Sequence, residues 1–503
     1  MKKQTSILKL DEPSLSFGYS QTTFDPRDGL TLFGPASRMK LKDIDLGIIR
    51  TPEGIRRVTT WLRRIQRPVW SLENDPARPY FPGFETVFEA SFNFAALQQI
   101  IINQDRITHF LKHTDTHVRI YKLSSLYVDE LIRYKKEEED APKVWVVVIP
   151  DDIYTFGRPK SSIPSDAGNI EIGIKGRYHR SQPQLFTVDQ ELQESYKFEK
   201  HFHNQLKARL LKDQIVTQII RESTIAYRDF RNKANKPKRD LAKFESAIAW
   251  NISNALYYKS GGVPWKLGAV REGVCYVGLV YKRMDTERDE KTACCAAQMF
   301  LDSGDGLVFR GNIGPWYNPD NYEYHLSYES AKELLANALS SFNRRNQTPP
   351  KEIFIHAKTY FDDNEWSGFV DACKKDTKLV GIRIRDDRVF KLYRDHSYPI
   401  LRGMMFKVDK KTAFLWTRGF IPRIKTQLGL ETPNPLEIEI SKGDSDLKTV
   451  CQDILALTKL NYNSCIFADG KPVTLRFADM IGSVLIAGPK ELTQQVLPFK
   501  HYI

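Results

Sequence analysis

Short apolar runs in the first half of the chain alternate with helical periodicity. Two of these runs, residues 144–149 (VWVVVI) and 215–220 (IVTQII), flank a mostly helical stretch. Continuous apolar runs bounded by turn residues are typical of strands buried on both faces. Two such strands with helical sequence between them predict a parallel β-α-β layer.

The periodicity of apolar positions predicts the helices around this layer, and turn residues predict its loops. Helices are expected in residues 49–65, 90–111, 121–134 and 241–259, the last one ending at the glycine pair 261–262. Loops are expected in DPRDG (25–29), KKEEEDAP (135–142) and the basic segment RDFRNKANKPKRD (228–240).

After Pro264 the pattern changes to successive strands. Strands are predicted at 274–281, 294–301 and 306–313, then at 352–356, 379–385, 391–392, 413–416 and 436–440, alternating with helices at 331–342, 366–374 and 446–460. Three consecutive strands followed by strand–helix alternation are the order of an RNase-H-like layer. The sequence therefore predicts an α/β protein with one domain in residues 1–265 and a second in 266–503.

The block of residues 201–224 carries the best candidate chemistry. His203 and Lys207 are four residues apart, so on a helix they share one face. Gln218 lies in the strand that follows, and we expect it near the strand's carboxyl end, where α/β layers gather ligands. An imidazole that stacks, an ammonium and an amide suit the terminal phosphate of a nucleotide. A solvated helix followed by a core strand is the alternative interpretation.

Charge and cysteine usage narrow the class of protein. The 503 residues include 75 Lys and Arg against 62 Asp and Glu, a net charge of +13, which favours a polyanionic partner such as nucleic acid. A diffuse basic surface is the alternative. The six cysteines form no CxxC pair and show no zinc spacing, which fits a reducing cytoplasm. We expect no signal peptide and no membrane span, and hence a cytoplasmic protein.

Longer motifs resemble those of short prokaryotic Argonautes, which consist of MID and PIWI domains without N or PAZ domains. The matching segments are FDPRDGLTLFGP (24–35), the 201–224 block, YYKSGG (257–262), PNPLEIEI (433–440), LTKLNYNS (457–464) and KPVTLRFAD (471–479). WKLG (265–268), CCAAQMFLD (294–302) and GPWYNP (314–319) are similar to the Argonaute subunit of the SPARTA defence system. The resemblance implies a Rossmann-like MID domain in 1–265 and an RNase-H-like PIWI domain in 266–503.

The resemblance also implies a pocket for the 5′ phosphate of a guide. Its residues would be His203 (in place of the usual tyrosine), Lys207, Gln218 and Lys259. A further lysine of the family is missing, since Ala255 stands one turn before Lys259. Lys212 and Thr224 are additional candidates. In prokaryotic relatives the glutamine and the C-terminal carboxylate hold a divalent ion, which implies Mg²⁺ at Gln218 and Ile503 here.

The same resemblance implies a degenerate nuclease site. Slicing Argonautes hold two metal ions with four residues, mostly carboxylates. Here Val280 and Ala357 replace two of the aspartates, and Asp479 falls near the last position. We therefore expect no nuclease activity. Other acids that could act as substitutes lie in turn-like sequence, where solvated loop acids are the simpler interpretation: Asp302, Asp305, Asp362 and Asp363.

The function implied is RNA-guided sensing of complementary single-stranded DNA from invading plasmids or phage. The partner would be a TIR–APAZ protein that forms a heterodimer with this chain, oligomerises on target binding and depletes NAD, giving abortive-infection immunity. A sirtuin-like or nuclease effector remains open. The alternatives are a guide-directed, metal-dependent endonuclease with relocated acidic ligands, and a single-strand-binding protein with no preference for a 5′ phosphate.

Overall fold

The structure is a computed structural model. It describes residues 6–37, 43–73, 75–159, 161, 194–268, 271, 273–283, 293–300, 306–314, 317–318, 323–346, 348–427, 432–488 and 497–503. Of these, it describes only the backbone at 283, 293–300, 306–314, 317–318 and 345–346.

The described residues form strands and helices throughout. The strands are β1 (Ser6–Lys9), β2 (Leu15–Ser16), β3 (Thr22–Thr23), β4 (Asp43–Ile44), β5 (Leu46–Arg50), β6 (Ser91–Phe92), β7 (Gln98–Ile101), β8 (Val144–Ile149), β9 (Thr217–Arg221), β10 (Lys266–Leu267), β11 (Val274–Arg283), β12 (Ala293–Phe300), β13 (Gly306–Gly314), β14 (Tyr317–Asn318), β15 (Glu323–Tyr324), β16 (Glu352–Ala357), β17 (Lys378–Asp386), β18 (Met404–Lys407), β19 (Thr412–Leu415), β20 (Phe420–Ile421), β21 (Thr426–Gln427), β22 (Leu436–Lys442) and β23 (Leu497–Pro498). The α-helices are α1 (Pro26–Phe33), α2 (Pro52–Ile65), α3 (Phe84–Phe88), α4 (Gln104–Leu111), α5 (Thr116–Glu137), α6 (Asp151–Phe156), α7 (Phe202–Leu210), α8 (Glu222–Ile225), α9 (Glu245–Lys259), α10 (Tyr328–Asn346), α11 (Asp363–Ala372), α12 (Leu447–Leu457) and α13 (Val473–Leu485).

The first half is built on a parallel sheet of four strands in the order β7-β5-β8-β9. All six residues of β8 are buried, as the apolar run predicts. Val144, Val146 and Val148 belong to the core on the α2 side, whereas Trp145 and Val147 pack with α4, α5 and α7. Because successive side chains of a strand point to opposite faces, helices cover both faces of this sheet. The predicted parallel β-α-β layer is confirmed.

The second half is built on a ten-stranded sheet in the order β1-β18-β19-β22-β17-β16-β11-β12-β13-β23. Its central strands β11, β16 and β17 are parallel, and the strands outside them are antiparallel. Helices α10 and α11 cover one face, and α12 and α13 cover the other. The N-terminal strand β1 pairs with β18 and so extends this second sheet. The α/β fold class is confirmed, and the domain boundary at residue 265 stays a prediction.

One glycine shows how closely α13 lies against the large sheet. A Cβ placed on Gly278 of β11 would lie 1.9 Å from the carbonyl oxygen of Thr474 in α13. No side chain fits in that space, because real Cβ atoms do not come so close to another heavy atom. This close approach places α13 directly over β11 on one face of the sheet, and Asp479 lies farther along the same helix.

Several predictions of local structure were wrong. Residues 90–111 form β6, β7 and α4 instead of one helix, because residues 98–101 pair with β5 and Asn103 caps the helix that follows. DPRDG begins helix α1, since Asp25 accepts a hydrogen bond from the Arg27 backbone and Pro26 suits the first helical position. Residues 391–392 form no strand.

Two further differences concern helices: one is longer than predicted, and one was not predicted. Helix α5 continues to Glu137, inside the segment predicted as a connection. Helix α13 was not predicted. None of the described helices is both long enough and apolar enough to cross a membrane.

Candidate functional site

Helix α7 presents the first two candidate residues. His201 caps the helix by accepting a hydrogen bond from the Asn204 backbone, and His203 and Lys207 follow one turn apart, as the spacing predicts. Lys207 is 2% exposed. Its Nζ donates to the main-chain oxygen of Ile503 at 2.6 Å and to the carbonyl oxygen of Thr217 at 3.3 Å.

Helix α9 supplies the second lysine. Lys259 is the last helical residue, and Gly261, with φ at +105°, lets the chain turn away directly after it. Its side chain is buried, and Nζ donates to the Thr217 carbonyl at 3.0 Å and to Gln218 Oε1 at 2.7 Å. The two ammonium groups therefore meet at the Thr217 carbonyl.

Gln218 belongs to this cluster, but its predicted place in the strand was wrong. It is the second residue of β9 and lies at the strand's amino end. The strand starts late because Gln214, with φ at +52°, forms a turn, and the backbone N–H of Ile215 bonds back to Leu210. Arg221 and the residues after it occupy the carboxyl end, where Arg221 and Ser223 contact Asp151.

The cluster is rich in basic side chains, and its two lysines contact no acidic side chain among the described residues. Among their described contacts, Lys207 and Lys259 reach carbonyl and amide oxygens but no Asp or Glu. Burial lowers the pKa of Lys207 to about 7, and burial together with the charge of Lys207 lowers the pKa of Lys259 well below its usual value. Burial, followed by the charges of Lys207 and His201, lowers the pKa of His203 to about 3. Its imidazole is therefore neutral. Such a site attracts an anion.

Sequence reasoning missed one member of this neighbourhood, His501. Its ring is buried, and Nδ1 has no hydrogen-bond partner within the described part of the chain. Burial and the charges of Lys500 and Lys207 lower the pKa of His501 to about 4. Its position two residues before Ile503 was the available signal.

The remaining candidates lie away from the two lysines. Lys212 is exposed in the turn after α7. Thr224 is half-buried in α8 and accepts a hydrogen bond from Arg239 at 3.0 Å. Ala255 is buried in α9, one turn before Lys259. The structure thus brings together His203, Lys207, Gln218, Lys259 and Ile503, and leaves Lys212 and Thr224 outside their contacts.

The oxygens expected to bind Mg²⁺ do not fit a divalent cation by themselves. Gln218 Oε1 accepts from Lys259, and the Ile503 oxygen accepts from Lys207. A dication would replace these bonds beside two ammonium groups, with the carboxylate expected at Ile503 as the one anionic ligand of the pair, whereas Mg²⁺ prefers several negatively charged oxygen ligands. A further anion would have to accompany it.

Comparison with known proteins identifies the fold. No protein-family model matches the chain. The Argonaute of Aquifex aeolicus (strain VF5) is 22% identical over 297 residues, which are 58% of this chain and 36% of that protein. The structure of Clostridium butyricum Argonaute, bound to a guide DNA (5′ deoxycytidine) and a 19-mer target DNA, matches with a TM-score of 0.62 at 17% identity, covering 99% of this chain and 55% of that one.

A crystal structure of A. aeolicus Argonaute matches with a TM-score of 0.55 at 14% identity, over 99% of this chain and 55% of that one. The chain is homologous to Argonaute proteins. It spans about half the length of the Argonaute structures it matches.

In this Argonaute fold, Val280 and Asp479 lie on the face of the large sheet that α13 covers, whereas Ala357 packs on the opposite face with α10 and α11. Val280 is buried in β11, Ala357 ends β16, and α13 places Asp479 one turn before Gly482, which lies against Val280. Asp479 Oδ2 accepts from Lys358 Nζ at 2.5 Å. Among the described residues, no three His, Cys, Asp or Glu side chains are grouped to hold a metal.

The possible substitute acids are engaged elsewhere or lie outside the described residues. Asp362 caps α11 through the Glu365 backbone at 2.7 Å, and the almost fully exposed Asp363 pairs with Lys442 at 2.6 Å. Asp302 and Asp305 lie outside the residues that the structure describes.

The lowered pKa of Lys207 predicts a pH dependence of stability. Because its pKa is about 7 in the folded chain and 10.5 in its usual state, the unfolded chain binds more protons between these values. The free energy of unfolding should therefore rise with pH in this window, by up to about 1.4 kcal/mol per pH unit from this lysine. Urea unfolding at several pH values should show a smaller rise in Lys207→Met than in the wild type. Lys212→Met should keep the wild-type slope, and equal slopes in all three proteins would contradict the assignment.

Proposed function

We propose that this chain binds the 5′ phosphate of a guide RNA and uses the guide to recognise complementary single-stranded DNA. The observation that carries the proposal is the convergence of two buried lysine ammonium groups, Lys207 and Lys259, on the Thr217 carbonyl without an acidic side chain among their described contacts. Even with the carboxylate expected at Ile503 beside Lys207, burying two lysine ammonium groups destabilises a folded protein, so their retention is explained best by an anionic ligand that supplies further negative charge.

A terminal phosphate supplies this charge. Its oxygens would replace the carbonyl oxygens that now accept from Lys207 and Lys259, and the new bonds would be charge-assisted. Its negative charge would also raise the pKa of both lysines towards their usual value. The neutral imidazole of His203, one turn before Lys207, is suited to stacking against the first base.

Homology supports nucleic acid as the ligand. The Clostridium butyricum Argonaute whose structure matches 99% of this chain holds both a guide DNA and a target DNA. The net charge of +13 agrees with a polyanionic ligand. Base pairing between guide and target would carry the sequence information, so the chain would contribute backbone contacts and shape.

We further propose that this chain binds its DNA target without cleaving it. Lys358 pairs with Asp479, and Val280 and Ala357 supply no metal ligand beside it. Target binding would then activate a separate TIR–APAZ partner in the cytoplasm, which oligomerises, hydrolyses NAD and stops the infected cell. Mg²⁺ enters only as an ion that arrives with the phosphate, because the chain's own oxygens do not fit it alone.

The test is the nucleic acid that the protein carries. The chain is expressed with its neighbouring gene and purified, and the bound nucleic acid is extracted and end-labelled with and without phosphatase treatment. We expect short RNAs that can be labelled only after phosphatase removes a 5′ phosphate. Fragments of random length that label equally well without phosphatase would contradict the phosphate pocket.

Two further measurements separate the parts of the proposal. Addition of single-stranded DNA complementary to the guide should start NAD hydrolysis by the complex. A constant NAD level would contradict the proposed NAD-hydrolysing partner. Metal-dependent cleavage of the target by the purified chain, lost in Asp479→Ala, would support the endonuclease alternative instead.

A further inference from the structure

A second candidate site is a cavity of about 270 Å³, whose lining does not include the two lysines. We call it the ring cavity, because the rings of Phe24, Phe420 and Phe467 line it. Its walls come from the N-terminal segment and from loops next to the large sheet. Three separate parts of the chain therefore have to fold together to form it, which local sequence patterns do not reveal.

Exposed rings lead from the surface to this cavity. Phe24 is 50% exposed at its edge, and no other ring packs on it within the described residues. Outside the lining, Tyr398 stacks on the lining residue Phe420 with 4.1 Å between ring centroids, and His396 stacks on Tyr398 at 5.3 Å. Exposed aromatic rings in a row are the platforms on which single-stranded nucleic acids stack their bases.

The polar groups of the ring cavity suit the edges of a base. Among the described hydrogen bonds, Lys9 Nζ donates to one acceptor, the Leu10 carbonyl at 2.8 Å. Because an ammonium group has three N–H donors, Lys9 can donate to a ligand as well. The carboxylate of Glu12 also lines the cavity; it accepts from Arg402 and Lys459 and has lone pairs for a further donor. Arg423 is another lining residue and pairs with Asp28 at 2.6 Å. A nucleobase has apolar faces and an edge of donors and acceptors, and this cavity offers partners for both.

The anchor of a protein partner fits the same cavity less well. An aliphatic or phenyl side chain would fill the space between the rings but would cover the Lys9 ammonium without giving it an acceptor. Covering an ammonium group that keeps N–H donors without acceptors costs more than the apolar contact contributes. The arrangement therefore favours a planar heterocycle.

We propose that the ring cavity holds one unpaired base of the bound single-stranded nucleic acid, stacked on Phe24, with its polar edge towards Lys9 and Glu12. The proposal rests on the proposed function, because it assumes that nucleic acid is the ligand. It adds a second contact to the nucleic acid, in which the protein stacks on the face of a base and does not bind a phosphate.

The test uses the full chain and two series of oligonucleotides, 5′-phosphorylated RNA guides and complementary DNA targets. Each oligonucleotide carries one fluorescent 2-aminopurine, moved by one position along the series. We expect strong quenching at one position of one series. Phe24→Ala should abolish that quenching and weaken binding about tenfold, the usual loss for one stacked base. Phe24→Tyr, which keeps a ring, should retain both.

The matched control is Tyr393→Ala, which removes a 76% exposed ring that does not line the cavity and should change neither quenching nor affinity. If binding depends on the 5′ phosphate but no quenching depends on Phe24, the ring-cavity proposal is overturned and the proposed function stands. Quenching that depends on Phe24 without any phosphate preference would overturn the proposed function and keep the cavity assignment. Release of a co-purifying protein by Phe24→Ala, with quenching intact, would overturn the base assignment.

Discussion

Lys207→Met should lower the affinity of the chain for 5′-phosphorylated RNA about a hundredfold, because a buried charge-assisted bond to the phosphate is lost. In its described contacts Lys207 reaches the Thr217 carbonyl and the main-chain oxygen of Ile503 but no acidic side chain, so methionine removes a buried charge that is costly to keep in the free protein. The free energy of unfolding at pH 7 should therefore stay the same or rise. Fluorescence anisotropy with 5′-phosphorylated and 5′-hydroxyl RNA of one sequence measures the affinity, and urea unfolding measures the stability.

The control for this variant is Lys212→Met, which removes the same charge from an exposed turn five residues away. It should lower the affinity for both RNAs equally and only slightly, through general electrostatics. Double replacement of Lys207 and Gln218 should abolish guide loading. A Lys207→Met protein that still prefers the 5′ phosphate would show that the phosphate binds elsewhere.

Glu12→Gln should lower the free energy of unfolding by about 3 kcal/mol, since it leaves two buried cations without their counter-charge. Glu12 joins the N-terminal segment to the second half of the chain. It pairs with Arg402 at 3.0 Å and with Lys459 at 2.8 Å, and both cationic side chains are at most 1% exposed. Urea unfolding at pH 7, followed by circular dichroism, measures the loss.

The control is Glu53→Gln, which breaks exposed ion pairs with Arg56 and Arg57 and should change stability by less than about 1 kcal/mol. The pH dependence gives a second check. Although burial opposes it, the charges of Arg402 and Lys459 hold the pKa of Glu12 below its usual value of 4.5. The contribution of Glu12 is therefore fully present above that value and is lost as the pH falls through the lower folded pKa. An equal loss of stability in Glu53→Gln would contradict a special role for Glu12.

Much of the secondary structure could be predicted from local pattern. The run at 144–149 is a strand buried on both faces, and residues 121–134 lie within helix α5. The strands predicted from 274 to 313 are present as β11, β12 and β13. In these segments the pattern of neighbouring residues and the final environment agree. Residues 90–111 were predicted wrongly because pairing of 98–101 with β5, some fifty residues earlier in the chain, outweighs a weak helical periodicity.

For the candidate site, the sequence by itself determined the local spacing. It placed His203 and Lys207 on one helical face and put Lys259 at a helix end beside two glycines. The family resemblance already implied that Ile503 lies beside Gln218. Only the tertiary structure decided that both lysines share the Thr217 carbonyl, that Lys207 bonds the Ile503 oxygen, that His501 joins them, and that Lys358 pairs with Asp479. The physical reason is distance along the chain. Helical spacing follows from backbone geometry within a few residues, whereas contacts between residues separated by 121 or 296 positions depend on how sheets and helices pack.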